Sequence, residues 1–343
     1  MAKRKSWEVS AAELLSEVGS GVGDEPPRWA EVSEKYSVSR YLKHLTPGDL
    51  CERATGLIDC YYASSSDGYF RPDFLDPQTY CVADLLVETL VEAWFQLDDP
   101  YFRELVTIAF DRRYIPTKEV LEVATRVLSS VPEPDGEYIV KYGREGYLRA
   151  LVDKGSWLIR PSAYYAVDPS LNRAQSDSEG VVELALPTVE SVEHITEAAV
   201  EYGLQLEVTE AAKCFEVRIS YPVAPYVFCA SRRLLPRLFD DFNAEACIVI
   251  HDIQTFYDRM GGALKVASGS PAMAAVGPVK YYDPVNTECD LAWGPFLKHY
   301  RFMYQQEHRL FWTPTGGANG NEDLRLEMGS LRDCCEMINL EAR

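Results

Sequence analysis

The residues best suited to chemistry lie in the segment 298–312, where a charged stretch runs directly into an aromatic one. If a strand begins near Gln305, then Gln305, Glu307 and Arg309 share one of its faces and His308 lies on the other. A carboxylate flanked by an amide and a guanidinium is kept ionised and oriented, so it could bind two ribose hydroxyls or stabilise positive charge developing on a sugar. The alternative is an ordinary cross-strand ion pair on a solvent-facing surface.

A second group of candidates comprises Lys141 and Tyr142, followed further along the chain by Arg160, Ser162 and Tyr164. Tyrosines and an arginine at strand ends suit a flat, aromatic, anionic ligand, through stacking and bidentate phosphate contacts. Strand alternation places Lys141 and Tyr142 on opposite faces. Because the chain has 21 tyrosines, half-buried packing on a sheet is the alternative explanation for any one of them.

A polar segment from Asp168 to Glu179 has the composition of a loop over a cleft, in which Asn172 or Arg173 could touch a ligand. A solvated loop with Asx turns is the alternative. Asp177 and Glu179 alone are too few for a two-metal nuclease site, which needs a third acidic ligand and a histidine.

Several catalytic motifs are missing from the sequence. It contains no GxGxxG after a strand, no GxxxxGK[ST], no HExxH and no GxSxG. The five histidines are dispersed, and the nine cysteines show no CxxC pair and no zinc-ligand spacing. Dinucleotide-binding Rossmann, P-loop, zincin and α/β-hydrolase interpretations therefore lack their residues, and the cysteines are expected to be reduced thiols.

The formal net charge of −19 disfavours nucleic-acid partners, because the field of the whole chain repels phosphate backbones. No uninterrupted apolar stretch reaches the length of a membrane span, and the first residues lack the apolar core of a signal peptide. These features predict a soluble, cytoplasmic protein with no membrane partner.

The hydrophobic pattern changes along the chain. Residues 1–37 mix Gly, Pro, Ser and acidic residues, as a flexible leader does. Apolar residues at helical spacing then predict a helical domain over 38–130, whose last helix begins after Pro116. Two prolines and an Asp-Gly pair in the segment 129–136 predict the domain boundary.

Strand patterns dominate the region 137–343 and alternate with helical ones, which predicts a mixed, partly antiparallel α/β domain and an α+β class for the chain. Strands are expected near 138–142, 157–160, 181–186, 204–208, 215–220, 226–229, 246–250, 279–282 and 309–312. Helices are expected near 144–153, 189–202, 232–243, 253–266 and 294–306.

The second domain resembles a large group of uncharacterised bacterial proteins. The resemblance is carried by a Tyr-Lys-Tyr-like strand and a late Lys…Glu-x-Arg segment, and it covers most of 138–340. The matching segments are 140–143, 158–172, 228–231, 279–282, 296–298 and 306–309. The same order of segments is similar to the ADP-ribosyltransferase fold, and the run Gln305-Gln306-Glu307 has the Gln-x-Glu spacing of one branch of those enzymes.

The resemblance implies an enzyme that transfers ADP-ribose from NAD, as a bacterial toxin or an anti-phage defence effector. Glu307 would bond the nicotinamide ribose, with Gln305 and Arg309 beside it, and so should point into a concave site near 140–165. The NAD-binding set would be Lys141, Tyr142, Arg160, Ser162, Tyr164, Asn172 and Ser231.

The partners that the resemblance implies are a macromolecular target of unknown kind and an antitoxin or defence protein. Two other functions remain open. One is a non-enzymatic sensor or adaptor of a defence system, and the other is a metal-dependent nuclease using Asp177 and Glu179.

Overall fold

A computed structural model provides the fold. It describes residues 28–63, 77–112, 116–132, 136–162, 164, 181–211, 213–220, 225–269, 272–285, 289–314 and 322–340. The chain divides into two compact units, with the break near residue 115.

Helices alone make up the secondary structure described in the first unit. Their buried residues include Leu50, Leu57, Leu90 and Phe102, which belong to the apolar pattern that predicted these helices. The helices are α1 (Arg28–Ser39), α2 (Pro47–Ala63), α3 (Pro77–Gln96) and α4 (Asp99–Asp111).

The second unit is built on a six-stranded sheet in which every pair of neighbours is antiparallel. Its strands are β1 (Ile139–Gly143), β6 (Tyr226–Ser231), β7 (Ala246–Ile250), β8 (Ala272–Pro278), β11 (Glu307–Pro314) and β13 (Cys335–Asn339). They lie in the order β13-β7-β1-β6-β11-β8. The α+β class and the partly antiparallel domain are thus confirmed.

Two helices of the second unit pack on one face of this sheet. The helices of this unit are α5 (Lys118–Leu128), α6 (Glu145–Lys154), α7 (Val189–Glu201), α8 (Pro236–Asp241) and α9 (Ile253–Ser268). Side chains from α6 and α9 pack with Ile139, Phe228, Ile248 and Leu310 in one buried cluster. Because alternate strand residues face opposite ways, Glu307 and its cross-strand neighbour Ser231 lie on the other face.

Smaller sheets complete the unit. Strands β3 (Val181–Leu186), β4 (Gln205–Glu210) and β5 (Phe215–Ser220) form an antiparallel sheet, and β2 (Ser156–Ile159) pairs with β12 (Leu324–Glu327). The parallel pair β9 (Lys280–Tyr282) and β10 (Leu297–His299) lies beside the 3₁₀ segments Leu291–Phe296 and Tyr300–Gln305. The single helix expected over 294–306 is therefore wrong, and strands β8, β12 and β13 were not anticipated.

The division of the chain also differs from the expected one. Helix α1 begins at Arg28, so residues 28–37 are not part of a flexible leader. The break near residue 115 precedes the expected boundary, because α5 packs against α8 and the Thr117 amide donates to the Asp240 carboxylate (3.1 Å). Helix α5 therefore belongs to the second unit.

Candidate functional site

Glu307, the expected catalytic carboxylate, lies in the interior of the second unit. It opens strand β11, opposite Ser231 on β6. Its side chain is 4% exposed, and those of Arg309 and Lys298 are 1% and 3% exposed. A ligand could therefore reach this carboxylate only if neighbouring groups moved aside.

Both oxygens of Glu307 bind cations. The Arg309 Nε donates to Oε1 and the Lys298 Nζ donates to Oε2, each at 2.5 Å. The backbone N–H of Glu307 donates to the Tyr281 hydroxyl at 2.8 Å. Two charge-assisted hydrogen bonds of this kind are strong and directional, so they fix the position of the carboxylate.

These contacts control the ionisation of Glu307. Burial by itself would raise the pKa of the carboxyl, but the charges of Arg309 and Lys298 outweigh it and hold the pKa well below its usual range. The carboxylate is therefore ionised at pH 7, as the sequence predicted. Loss of its charge would leave two buried cations uncompensated.

The network extends through Gln305 and Arg309. The Gln305 Oε1 accepts from the Lys298 Nζ at 3.0 Å, and the Arg309 Nη1 donates to the carbonyl oxygen of Pro295 at 2.7 Å. Gln305 ends a 3₁₀ segment and is not in the strand, because Gln306 adopts the left-handed conformation and the strand begins only at Glu307. We name Lys298, Gln305, Glu307 and Arg309 the Glu307 network.

The expectation that Glu307 points into a concave site is therefore wrong. Its strand face was expected to line a cleft, but the segment 295–305 packs over that face and supplies Lys298. The same segment excludes water from the ion pair. Glu307 and Arg309 therefore face neither an open site nor solvent in this structure.

Tyr142 and Ser231, two of the expected NAD-binding residues, share a hydrogen-bond partner. Both hydroxyls donate to the carbonyl oxygen of Arg233 at 3.0 Å. The Tyr142 hydroxyl also accepts from the Leu235 amide at 2.8 Å, and the Ser231 hydroxyl accepts from the Arg233 amide at 3.1 Å. These bonds hold the turn between β6 and α8, so both hydroxyls already have backbone partners.

Lys141 faces the opposite side of the sheet from Tyr142, as alternation predicts. Its Nζ donates to the carbonyl oxygen of Cys229 at 2.8 Å and lies 5.2 Å from the centre of the Phe228 ring. Lys141 therefore contacts residues of β6 on the face of the sheet opposite Glu307.

Arg160, Ser162 and Tyr164 lie away from the Glu307 network. The Arg160 guanidinium stacks on the Tyr164 ring at 4.1 Å and pairs with Asp323 at 3.3 Å. Ser162 is buried, and its amide donates to the Pro225 carbonyl at 2.7 Å. Asn172 and the acidic pair Asp177 and Glu179 lie outside the described residues.

An open cleft of about 340 Å³ lies at one end of the main sheet, where several of its strands begin or end. Strands β1 and β11 begin at this edge and β6, β7 and β8 end there. Glu137, Tyr138, Arg232 and His308 are among the residues that line the cleft. We name it the strand-end cleft.

His308 is a part-buried titratable group in the strand-end cleft. Its Nδ1 lies 2.8 Å from the Tyr257 hydroxyl, and the two rings stack at 5.6 Å. Burial, and after it the charge of Arg232, lower the pKa of His308, so the ring is neutral at pH 7.

The hydrogen bond to Tyr257 is linked to the tautomer of His308. Burial raises the pKa of Tyr257, so its hydroxyl keeps its proton, and a hydroxyl that donates to Nδ1 requires that nitrogen to be unprotonated. The proton of the neutral ring is then on Nε2. His308 thus offers an N–H donor.

Two charged groups at the strand-end cleft are exposed. Arg232 and Glu137 are both solvent-accessible, and neither side chain has an ion pair among the residues that the structure describes. The cleft therefore combines a cation, an anion, a neutral donor and the ring of Tyr138.

Sequence reasoning missed this cleft. It placed His308 on the face opposite Glu307, which is correct, but Tyr257 and Arg232 are distant in sequence and follow no motif. The one available signal was that strand-end residues of neighbouring strands gather at one edge of a sheet.

Comparison with known proteins adds no relative: no family model, no curated protein and no solved structure matches the chain. Within the described ranges, no cluster of three or more His, Cys, Asp or Glu side chains could hold a metal ion. No helix in those ranges is long and apolar enough to cross a membrane.

Proposed function

We propose that the second unit is a recognition domain that binds a small polar ligand in the strand-end cleft. Of the functions left open by the sequence, this corresponds to the non-enzymatic sensor. The observation that carries the proposal is the grouping of Arg232, Glu137 and His308 around an open cleft of about 340 Å³. Clefts of this size, with a few convergent polar groups, are typical of small-molecule sites.

The chemistry of the lining residues indicates the kind of ligand. Arg232 and the Nε2–H of neutral His308 favour an oxyanion, through a bidentate guanidinium contact and a neutral donor. Glu137 favours a hydroxyl or ammonium group on the same ligand. A sugar phosphate carries both kinds of group.

Ribose 5-phosphate and inorganic phosphate are suitable probes, with the His308 ring signals in NMR as the readout. We expect ribose 5-phosphate to move these signals in the wild type, and Arg232→Ala to weaken its binding roughly tenfold through loss of a charge-assisted contact. Arg218→Ala, at an exposed arginine on β5, is the matched control and should bind as the wild type does. If neither probe moves the His308 signals at millimolar concentration, the proposal is wrong.

ADP-ribosyl transfer by Glu307 stays a prediction, and it needs a different arrangement of this residue. The carboxylate would have to leave Arg309 or Lys298 to meet a ribose. The assay is nicotinamide release from NAD by the full chain. Release that is absent in the wild type excludes the activity under the conditions used, and release that survives in Glu307→Gln excludes this residue as its catalyst.

The remaining expectations also stay predictions. They are a toxin or phage-defence role, a macromolecular target, an antitoxin or defence partner and a nuclease using Asp177 and Glu179. Chelator-sensitive cleavage of DNA or RNA would identify the nuclease.

A further inference from the structure

A second cleft of about 460 Å³ lies between helix α6 and the small sheet of β2 and β12. Helix α6 contributes Tyr147 and Ala150, which are three residues apart and so share one side of the helix. Strand β2 contributes Leu158, Arg160 follows directly after that strand, and strand β12 contributes Arg325. This cleft does not include the residues of the strand-end cleft.

The apolar part of this cleft is unusually exposed. The exposed fraction of Tyr147 is 68% and that of Leu158 is 43%. Tyr147 has no ring contact with another described residue, so one face of its ring is available for stacking. The small side chain of Ala150 leaves room beside that ring.

The cationic part of the cleft is held by cross-strand pairing. Arg325 lies directly opposite Leu158 in the β2–β12 register and has no ion pair among the described residues. Arg160, two residues beyond Leu158 and on the same face, is fixed by the Tyr164 ring and by Asp323. Of the two guanidiniums, Arg325 is therefore the one available to a ligand anion.

We propose that this cleft binds a flat aromatic ring that carries a single anionic group, as a nucleoside monophosphate does. The ring stacks on Tyr147 and covers Leu158, and the anion pairs with Arg325. The net charge of −19 disfavours an extended polyanion, since the field of the whole chain opposes each added phosphate. A mononucleotide is consequently preferred to single-stranded nucleic acid.

Calorimetric titration of the full chain with AMP, adenosine and inorganic phosphate tests both parts of the site. We expect AMP to bind more tightly than adenosine or phosphate. Tyr147→Ala should weaken AMP binding by roughly tenfold, the typical effect of losing one stacked aromatic ring, and Arg325→Ala should weaken it by a similar factor. Both side chains are exposed, so the variants should fold.

Two controls separate this site from others. Tyr101→Ala removes a similarly exposed tyrosine (63%) from helix α4 and should leave AMP binding unchanged. Arg232→Ala alters the strand-end cleft and should also leave it unchanged. The proposal is overturned if the wild type does not bind AMP at millimolar concentration, if Tyr147→Ala binds it normally, or if a single-stranded oligonucleotide binds more tightly than AMP.

Discussion

Replacing Glu307 by glutamine should destabilise the second unit strongly, because this carboxylate neutralises two buried cations. A glutamine retains the shape and one acceptor oxygen, but its amide group would point a donor at either Arg309 or Lys298. Removing one partner of a buried ion pair typically costs about 3–5 kcal/mol. We expect a loss in that range at pH 7.

Deprotonation of Lys298 limits the size of this effect. A lysine with an unperturbed pKa near 10.4 can lose its proton at pH 7 for about 1.4 kcal/mol per pH unit, or roughly 5 kcal/mol in all. Where the variant folds with a neutral Lys298, its unfolded state binds more protons than its folded state. The stability of the variant relative to the wild type should therefore rise as the pH is raised towards 10.

Hydrogen exchange of the β11 amides, read by mass spectrometry, gives the free energy of opening for this sheet separately from the first unit. The matched control is Glu183→Gln, which removes a strand carboxylate paired with Arg218 at 3.1 Å, where the two side chains are 62% and 50% exposed. We expect the control to lose less than about 1 kcal/mol. An equally small loss of opening free energy in Glu307→Gln would refute the buried network and would mean that a substrate could reach Glu307.

Three further outcomes follow from named contacts. Folding lowers the pKa of Glu307, so its contribution to stability is complete above the unfolded-state pKa near 4.3 and is lost as the pH falls below that value. In urea unfolding between pH 5 and about 2, the free energy of unfolding should therefore decline more steeply for the wild type than for Glu307→Gln. Gly155→Ala should be more destabilising than Gly203→Ala by roughly 1–3 kcal/mol in melting experiments. Both residues have positive φ, but a Cβ at Gly155 would clash with the carbonyl oxygen of Gly329, whereas a Cβ at Gly203 would have no heavy atom within 4 Å. Arg232→Ala should raise the pKa of His308 in an NMR titration, because the guanidinium charge disfavours the imidazolium, and an unchanged or lower pKa would contradict that placement.

Much of the secondary structure of the second unit followed from local pattern. The apolar run 246–250 forms a strand that is buried throughout, and helix α5 starts directly after Thr117, as the Pro116-Thr117 pair indicated. Alternation correctly separated Lys141 from Tyr142. Patterns of this kind depend on a residue and its near neighbours, so the sequence alone could supply them.

Partners that are distant in sequence decided the rest. Helix α5 joined the second unit because it packs on α8, which lies more than a hundred residues later in the chain. Neither interpretation of Glu307 anticipated its burial, because Lys298 and the segment around it close over the strand face. The strand-end cleft depends on His308 meeting Tyr257 and Arg232. The charge and periodicity of a segment determine which secondary structure it can form and which side chains it can offer. The burial of a charge, and hence its chemistry, depends on what tertiary packing places against it.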